Sequence, residues 1–241
     1  MPSPTPSQKV SQVSMFGGKN ITIKIVGDIY DDSYEASLVY SKKHKKTFIH
    51  PFDDEDVIIG QGTMALEILN QSLFPIDYLL VPIGGGGLIS GMINVFKQKS
   101  PKTRIIGIEP KGAPSMYESM RQNKRITLDR IDNFVDGAAV KTIGKISFDY
   151  CSKFLDDIVI VDEGEICQNI LTMYNNDAII VEPAGAMSIT GLNKMSKSIK
   201  DKNVVCLICG GNNDITRMSE IKERALLFNN LKHYFVIRFP Q

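Results

Sequence analysis

Continuous apolar runs alternate with runs that carry apolar residues every three or four positions. The first kind comprises YLLVPI at 78–83, RIIGI at 104–108, DIVIV at 157–161 and VVCLIC at 204–209. Each is short, apolar at every position and rich in Val and Ile, as strands buried on both faces should be. Between them lie segments of helical period. GLISGMINVFKQ places Leu88, Met92, Val95 and Phe96 on one face, and VIIGQGTMALEILNQ does the same with Met64, Ile68 and Leu69. Further helices are predicted over SFDYCSKFLD, EGEICQNILTMYNND, GAMSITGLNKM and MSEIKERALLFNNL. Residues 10–51 read as helix, strand (ITIKIVG), helix (DIYDDSYEASLVYSKKHKK) and strand (TFIHP), and a last strand is predicted at KHYFVIRFP. Strands alternating with helices in this way predict an α/β fold with a parallel sheet covered by helices. No internal repeat is present, and only the first nine residues, MPSPTPSQK, are biased toward Pro and Ser.

Composition narrows the function classes. The chain has 241 residues, 43% hydrophobic and 23% charged, a globular balance. A formal net charge of +1 supplies no field for nucleic acid. The basic run SKKHKK reads as the solvated C-terminal end of a helix, where cations are favoured. No apolar run reaches the roughly 18 residues of a membrane span, and the N-terminus lacks a secretory h-region. Cysteines 151, 167, 206 and 209 have no disulfide-framework spacing, which suits free thiols in a cytoplasmic protein. His44, His50 and His233 are scattered and offer no metal spacing.

The densest signal is IGGGGLISG at 83–91, at the carboxyl end of a predicted strand and the start of a predicted helix. Ligands of open parallel sheets bind there. A helix N-terminus offers free N–H groups and partial positive charge, and glycine lets an anion reach the backbone. A Walker loop fails, because no Lys-Ser or Lys-Thr follows at the required spacing. The dinucleotide fingerprint fails at Ile89 in one register and at Leu88 in another. A small phosphate-bearing cofactor remains, against a tight turn with no ligand.

Three other stretches compete with simpler readings. In VVCLICGGNND, Cys206 and Cys209 form C-x-x-C, but at strand spacing they face opposite sides, which argues against metal or redox use. Cys209 alone, before Gly210 and Gly211, is a site candidate or a small buried hydrophobe. Glu182 in VEPAGA is either a helix N-terminal charge or a site residue. Gly137 in IDNFVDGAAV marks a close backbone approach or an ordinary turn.

The ordered set MPSPTPSQK, GQGT, IGGGGLISG, GIEP, VDGAAV, VEPAGA and CGGNND resembles threonine ammonia-lyase (threonine dehydratase, biosynthetic type), over essentially the whole chain. The resemblance implies a fold type II (tryptophan synthase β-like) enzyme dependent on pyridoxal 5′-phosphate. It implies β-elimination from L-threonine, with L-serine as a second candidate, to 2-oxobutanoate and ammonia in isoleucine biosynthesis. Gly84, Gly85, Gly86, Gly87 and Leu88 match the loop that holds the cofactor's phosphate. Cys209 matches the partner of the pyridine nitrogen, Glu182 a carboxylate near the ring, and Gly137 and Ala138 a lining loop. The tail EIKERALLFNNLKHYFVIRFPQ is similar to the segment leading into a regulatory ACT-like domain, and favours the threonine branch over serine racemase.

The departures are equally specific. The family's cofactor-bearing lysine lies in a Ser-Phe-Lys segment, and a Ser-Ala-Gly-Asn-His stretch touches the ring; neither occurs here. Lys9 matches a different family lysine. No catalytic residue is therefore assigned, and the chain alone is expected to be inactive. It reads as a fragment incomplete at both ends: residues 1–51 as the rest of a small domain, 52–222 as the large cofactor domain, and 223–241 as linker and first strand of a truncated regulatory domain. A homo-oligomer and a complementing N-terminal fragment are the expected partners, with neither nucleic acid nor membrane. A metal site of serine racemase relatives matches Glu109, Ala113 and an acid at position 115. Ser115 stands there, so no metal is expected. The competing expectation is a non-catalytic remnant that binds a phosphate ligand or a partner chain.

Overall fold

The computed structural model describes residues 1–239. Four parallel strands form one sheet: β1 (Tyr78–Pro82), β2 (Arg104–Pro110), β3 (Asp157–Val161) and β4 (Val204–Cys206), in the order β3-β2-β1-β4. The strands alternate their side chains between two cores, as the pleat requires. Leu80, Ile106 and Ile108 enter one core. Leu79, Val81 and Ile105 enter the other. The second core is closed by α3 (Glu55–Gln71), α4 (Gly87–Lys99), α5 (Ser115–Arg121) and α6 (Lys145–Phe154). The first is closed by α7 (Glu163–Asp177), α8 (Pro183–Met195) and α9 (Met218–Phe228). The α/β class, the parallel sheet and its helical cover are thus as the pattern predicts.

The chain changes face once. The helices after β1 and β2 cover one side, and those after β3 and β4 the other. β4 lies beside β1, so the connections leaving these neighbours diverge to opposite faces. A crevice opens outside their carboxyl ends, at the switch point of the sheet. The glycine run follows β1 there, and Cys209 follows β4.

Helix ends are read locally. Asp54 accepts from the N–H groups of Asp56 and Val57 to open α3, and Asp162 accepts from Gly164 to open α7. Helix crossings are tight where glycines meet. A Cβ on Gly62, the last glycine of GQGT, would lie 3.2 Å from the Gly91 carbonyl of α4, and one on Gly91 2.5 Å from the Ile58 carbonyl of α3. Gly60 differs: a Cβ there meets nothing within 4 Å. Gly60→Ala should therefore stabilise the chain by about 0.5–1 kcal/mol, as a rise in the urea midpoint.

Several strand expectations need correction. Residues 21–27 and 47–51 form no strand, although α1 (Ser7–Gly17) and α2 (Tyr30–His44) lie where expected. A strand exists only by pairing. Val26 and Ser3 donate to the Met1 and Gly27 carbonyls, but no ladder forms, and Ile25, Val26 and Ile49 are exposed. α1 and α2 bury no residue. Likewise, residues 232–239 of the expected last strand are unpaired and expose Tyr234, Phe235, Val236 and Ile237; Pro240 lies outside the described residues. β4 is shorter than its apolar run, ending at Cys206 rather than at Cys209. α5 was not expected, and α9 runs across the 222/223 boundary, burying Ile221 and Ala225.

Candidate functional site

A cavity of about 330 Å³ fills the crevice at the switch point. Its lining includes Gly84, Gly85, Gly86, Gly87 and Leu88, together with Gly137, Ala138, Glu182 and Cys209. All nine candidate site residues thus meet around one space, although they come from four segments of the chain.

Each glycine of the run faces a neighbour that leaves no room for a side chain. A Cβ on Gly84 would lie 3.0 Å from the Cα of Ala138, and one on Gly85 2.3 Å from the ring of Phe52. On Gly86, which also has φ +95°, it would lie 2.6 Å from the Cβ of Ser147. On Gly87 it would lie 2.7 Å from the Phe52 carbonyl. Much of the demand for glycine therefore comes from the protein's own packing.

The backbone donors add a demand of another kind. Gly86 is the N-cap of α4 and offers no side chain to it. Ser90 donates to the Gly86 carbonyl and Gly144 to the Gly85 carbonyl. Among the described residues, no group accepts a hydrogen bond from the N–H of Gly84, Gly85, Gly86, Gly87, Leu88 or Ile89. Gly85, Gly86, Gly87 and Ile89 are buried. Buried N–H groups without acceptors are rare and costly. Clustered at a helix N-terminus, they make an anion cradle. A phosphate fits this cradle in charge and in hydrogen-bonding type.

The opposite wall is acidic and apolar. Glu182 is the N-cap residue of α8, yet its side chain makes no capping bond. The carboxyl instead lies over Gly210 and Gly137: a Cβ on either would lie 2.5 or 3.0 Å from its Oε1. Burial raises the Glu182 pKa, and Lys9 nearby partly offsets this. Burial and the Glu182 charge push the Cys209 thiol up to about 11, so it is neutral at physiological pH. A Cβ on Gly185 would lie 1.8 Å from the Cys209 carbonyl, so α8 and the Cys209 loop meet through backbone. Cys206 stays within β4 while Cys209 lies beyond it, and all four cysteines are free.

An ionic clamp borders the same wall. Asp136 binds Lys9 at 2.8 Å and Arg217 at 3.0 Å, and Arg217 also donates to the Phe134 carbonyl. Asp214 accepts from the N–H groups of Ser7 and Gln8 at the start of α1. Lys9 thus joins the first helix to the loop that carries Gly137 and Ala138. Glu109 has a different task. It is fully buried and accepts from the N–H groups of Met116 and Tyr117, opening α5. Among the described residues, no group of three or more acids, histidines or cysteines could hold a metal ion.

Phe52 is the residue that sequence reasoning missed. Its ring and backbone fill the space over Gly85 and Gly87, yet it falls just after TFIHP, outside every element the pattern predicts. The available signal was Asp53-Asp54 just after it, a helix-opening pair that forces a turn at 51–54.

Acceptor-free N–H groups at a helix N-terminus, at the switch point of a parallel sheet and without a dinucleotide fingerprint, make a site that fits a single-phosphate cofactor. The chain belongs to the family described as pyridoxal-phosphate dependent enzyme, which matches residues 1–210. L-threonine dehydratase biosynthetic IlvA of Halalkalibacterium halodurans is 54% identical over 241 residues, which is 100% of this chain and 58% of that protein. The processed form of threonine deaminase isoform 2 from Solanum lycopersicum superposes with a TM-score of 0.85 at 36% identity, covering 93% of this chain and 65% of that one. Maize serine racemase superposes with a TM-score of 0.80 at 29% identity, covering 95% and 70%. The chain therefore spans a little over half the length of the curated relatives it matches.

Proposed function

We propose that this chain is the cofactor-holding part of a cytoplasmic L-threonine dehydratase, and that it does not deaminate threonine by itself. The cluster of acceptor-free N–H groups from Gly84 to Ile89 around the crevice carries this reading. Pyridoxal phosphate bound there would supply an electron sink for loss of the α-proton and β-hydroxyl of the amino acid.

The chain's own residues then have separable roles. Gly84 to Leu88 hold the phosphate through backbone donors and the α4 dipole. Cys209, as a neutral thiol, would partner the ring nitrogen without holding a full proton on it, which would favour elimination over side reactions. Glu182 and Lys9 set the charge at the ring end, while Gly137 and Ala138 close the wall. The reaction also needs a lysine to carry the cofactor, and none of the described residues that line the crevice is a lysine. We infer that a polypeptide bearing a Ser-Phe-Lys segment supplies it, and that such a segment packs on the unpaired stretches 21–27 and 47–51. The intact assembly is read as a homo-oligomer.

Two measurements separate the parts of this reading. Equilibrium dialysis should show pyridoxal phosphate retained by the chain alone, with loss of retention on competition by inorganic phosphate. Threonine added to the chain alone should yield no 2-oxobutanoate, and addition of the Ser-Phe-Lys polypeptide should produce it. Turnover by the chain alone, or no retention of cofactor, would overturn the proposal.

A further inference from the structure

His50 sits in an aromatic cluster beside the glycine loop, not in the cavity lining. Its ring packs edge-on against Phe52 at 4.6 Å and Tyr34 at 5.2 Å between centroids. Its Nδ1 accepts two backbone hydrogen bonds, from Asp53 N–H at 2.8 Å and Phe52 N–H at 3.2 Å. This is the geometry by which an Asn or Asp side chain fixes a turn, with imidazole as the acceptor.

The turn so fixed bears on the phosphate cradle through both of its central residues. The Phe52 ring lies over Gly85, and the Phe52 carbonyl lies over Gly87. The Asp53 carboxylate accepts from Lys145 and Ile146 N–H, both at 2.8 Å, and so opens α6. Gly144, just before α6, donates to the Gly85 carbonyl at 3.0 Å. The glycine loop is therefore held from two sides by residues whose own N–H groups end on one imidazole nitrogen.

We propose that His50 is a positioning residue for the glycine loop: neutral, it locks the Pro51–Asp54 turn against Gly85 and Gly87, and its protonation releases that turn. The part concerning cofactor rests on the phosphate-cradle reading given above; the part concerning the loop does not. An imidazolium has no lone pair at Nδ1, so the two N–H groups would face a donor. The surroundings bear on the protonation. Asp53 and Asp54 on its own segment favour the cation, and burial, the larger effect, lowers the pKa from 6.5. The adjoining cavity of about 270 Å³ also carries Tyr30, Asp31, Tyr34 and Glu35 from α2 and Arg125 from the loop before α6. The lock is fully present above pH 6.5 and is lost as the pH falls through the lowered pKa of His50.

The test is amide and imidazole NMR of the full chain between pH 8 and 5, on the wild type, His50→Leu and His50→Asn. The expected result is an Nε2–H tautomer for His50 at pH 7.5. The amides of Phe52, Asp53, Gly85 and Gly87 should titrate together with it on acidification. In His50→Leu, exchange protection at Phe52 and Asp53 should fall about tenfold at pH 7.5, and Gly85 and Gly87 should shift. His50→Asn should keep the protection and lose the titration. Pyridoxal phosphate affinity should fall more steeply with acid in the wild type than in His50→Asn. Gly85 and Gly87 amides indifferent to both the His50 titration and His50→Leu would overturn the inference, as would an imidazolium at pH 7.5. A wild type that binds no pyridoxal phosphate, yet shows the coupled titration, would sink the cofactor reading and leave the positioning role standing.

Discussion

Gly86→Ala is expected to destabilise the chain by about 2–5 kcal/mol and to abolish retention of pyridoxal phosphate. Two costs add. A φ of +95° is a conformation that an L residue adopts at a cost of about 1–2 kcal/mol. The new Cβ would also lie 2.6 Å from the Cβ of Ser147, in a buried contact that cannot open without moving α6, and such overpacking costs about 1–3 kcal/mol. Chemical denaturation measures the first effect and equilibrium dialysis the second. Gly60→Ala, in an open helical position, should move stability the other way. An unchanged midpoint for Gly86→Ala would show that the loop tolerates a different path.

The second large effect is the pH dependence set by Glu109. Burial pushes its pKa up to about 8, and the two N–H bonds from Met116 and Tyr117 offset only part of that. The unfolded carboxyl titrates near 4.5, so between 4.5 and about 8 the folded chain holds the extra proton. The contribution is therefore fully present below pH 4.5 and is lost as the pH rises through about 8. At about 1.4 kcal/mol per pKa unit, a shift of this size is worth several kcal/mol. The stability gap between the wild type and Glu109→Gln, from urea melts at pH 5 and 8.5, should move against the wild type at the higher pH. A gap that stays constant would place the proton elsewhere.

Of the nine candidate site residues, the glycines, Cys209 and Glu182 were legible from a backbone or charge signature, while Leu88 and Ala138 entered only through the resemblance. Four glycines after YLLVPI, Cys209 before two glycines and Glu182 before a proline all stand out in one dimension. Phe52 and His50 carry no such signature. Their importance depends on what lies opposite them, some 35 residues further on. The Lys9–Asp136–Arg217 clamp was hidden for the same reason, since its members are separated by 127 and 81 positions.

Strands 21–27 and 47–51 show the converse failure. ITIKIVG has strong strand propensity, but propensity describes fitness for a ladder and does not supply the neighbouring strand. The same holds for the exposed residues 232–239. Where a run meets a partner strand, as for β1, β2 and β3, the apolar run and the strand nearly coincide.

The sequence by itself determined the parallel α/β architecture, the helix registers, and the kinship carried by GQGT, IGGGGLISG, VEPAGA and CGGNND. These depend on periodicity and on local order along the chain. Only the tertiary structure decided that β4 lies beside β1, which creates the crevice, and that the glycine run makes room for Phe52, Ala138 and Ser147 while leaving its N–H groups without acceptors. Strand order and close packing arise from contacts between distant segments, and no local pattern encodes which surfaces will meet.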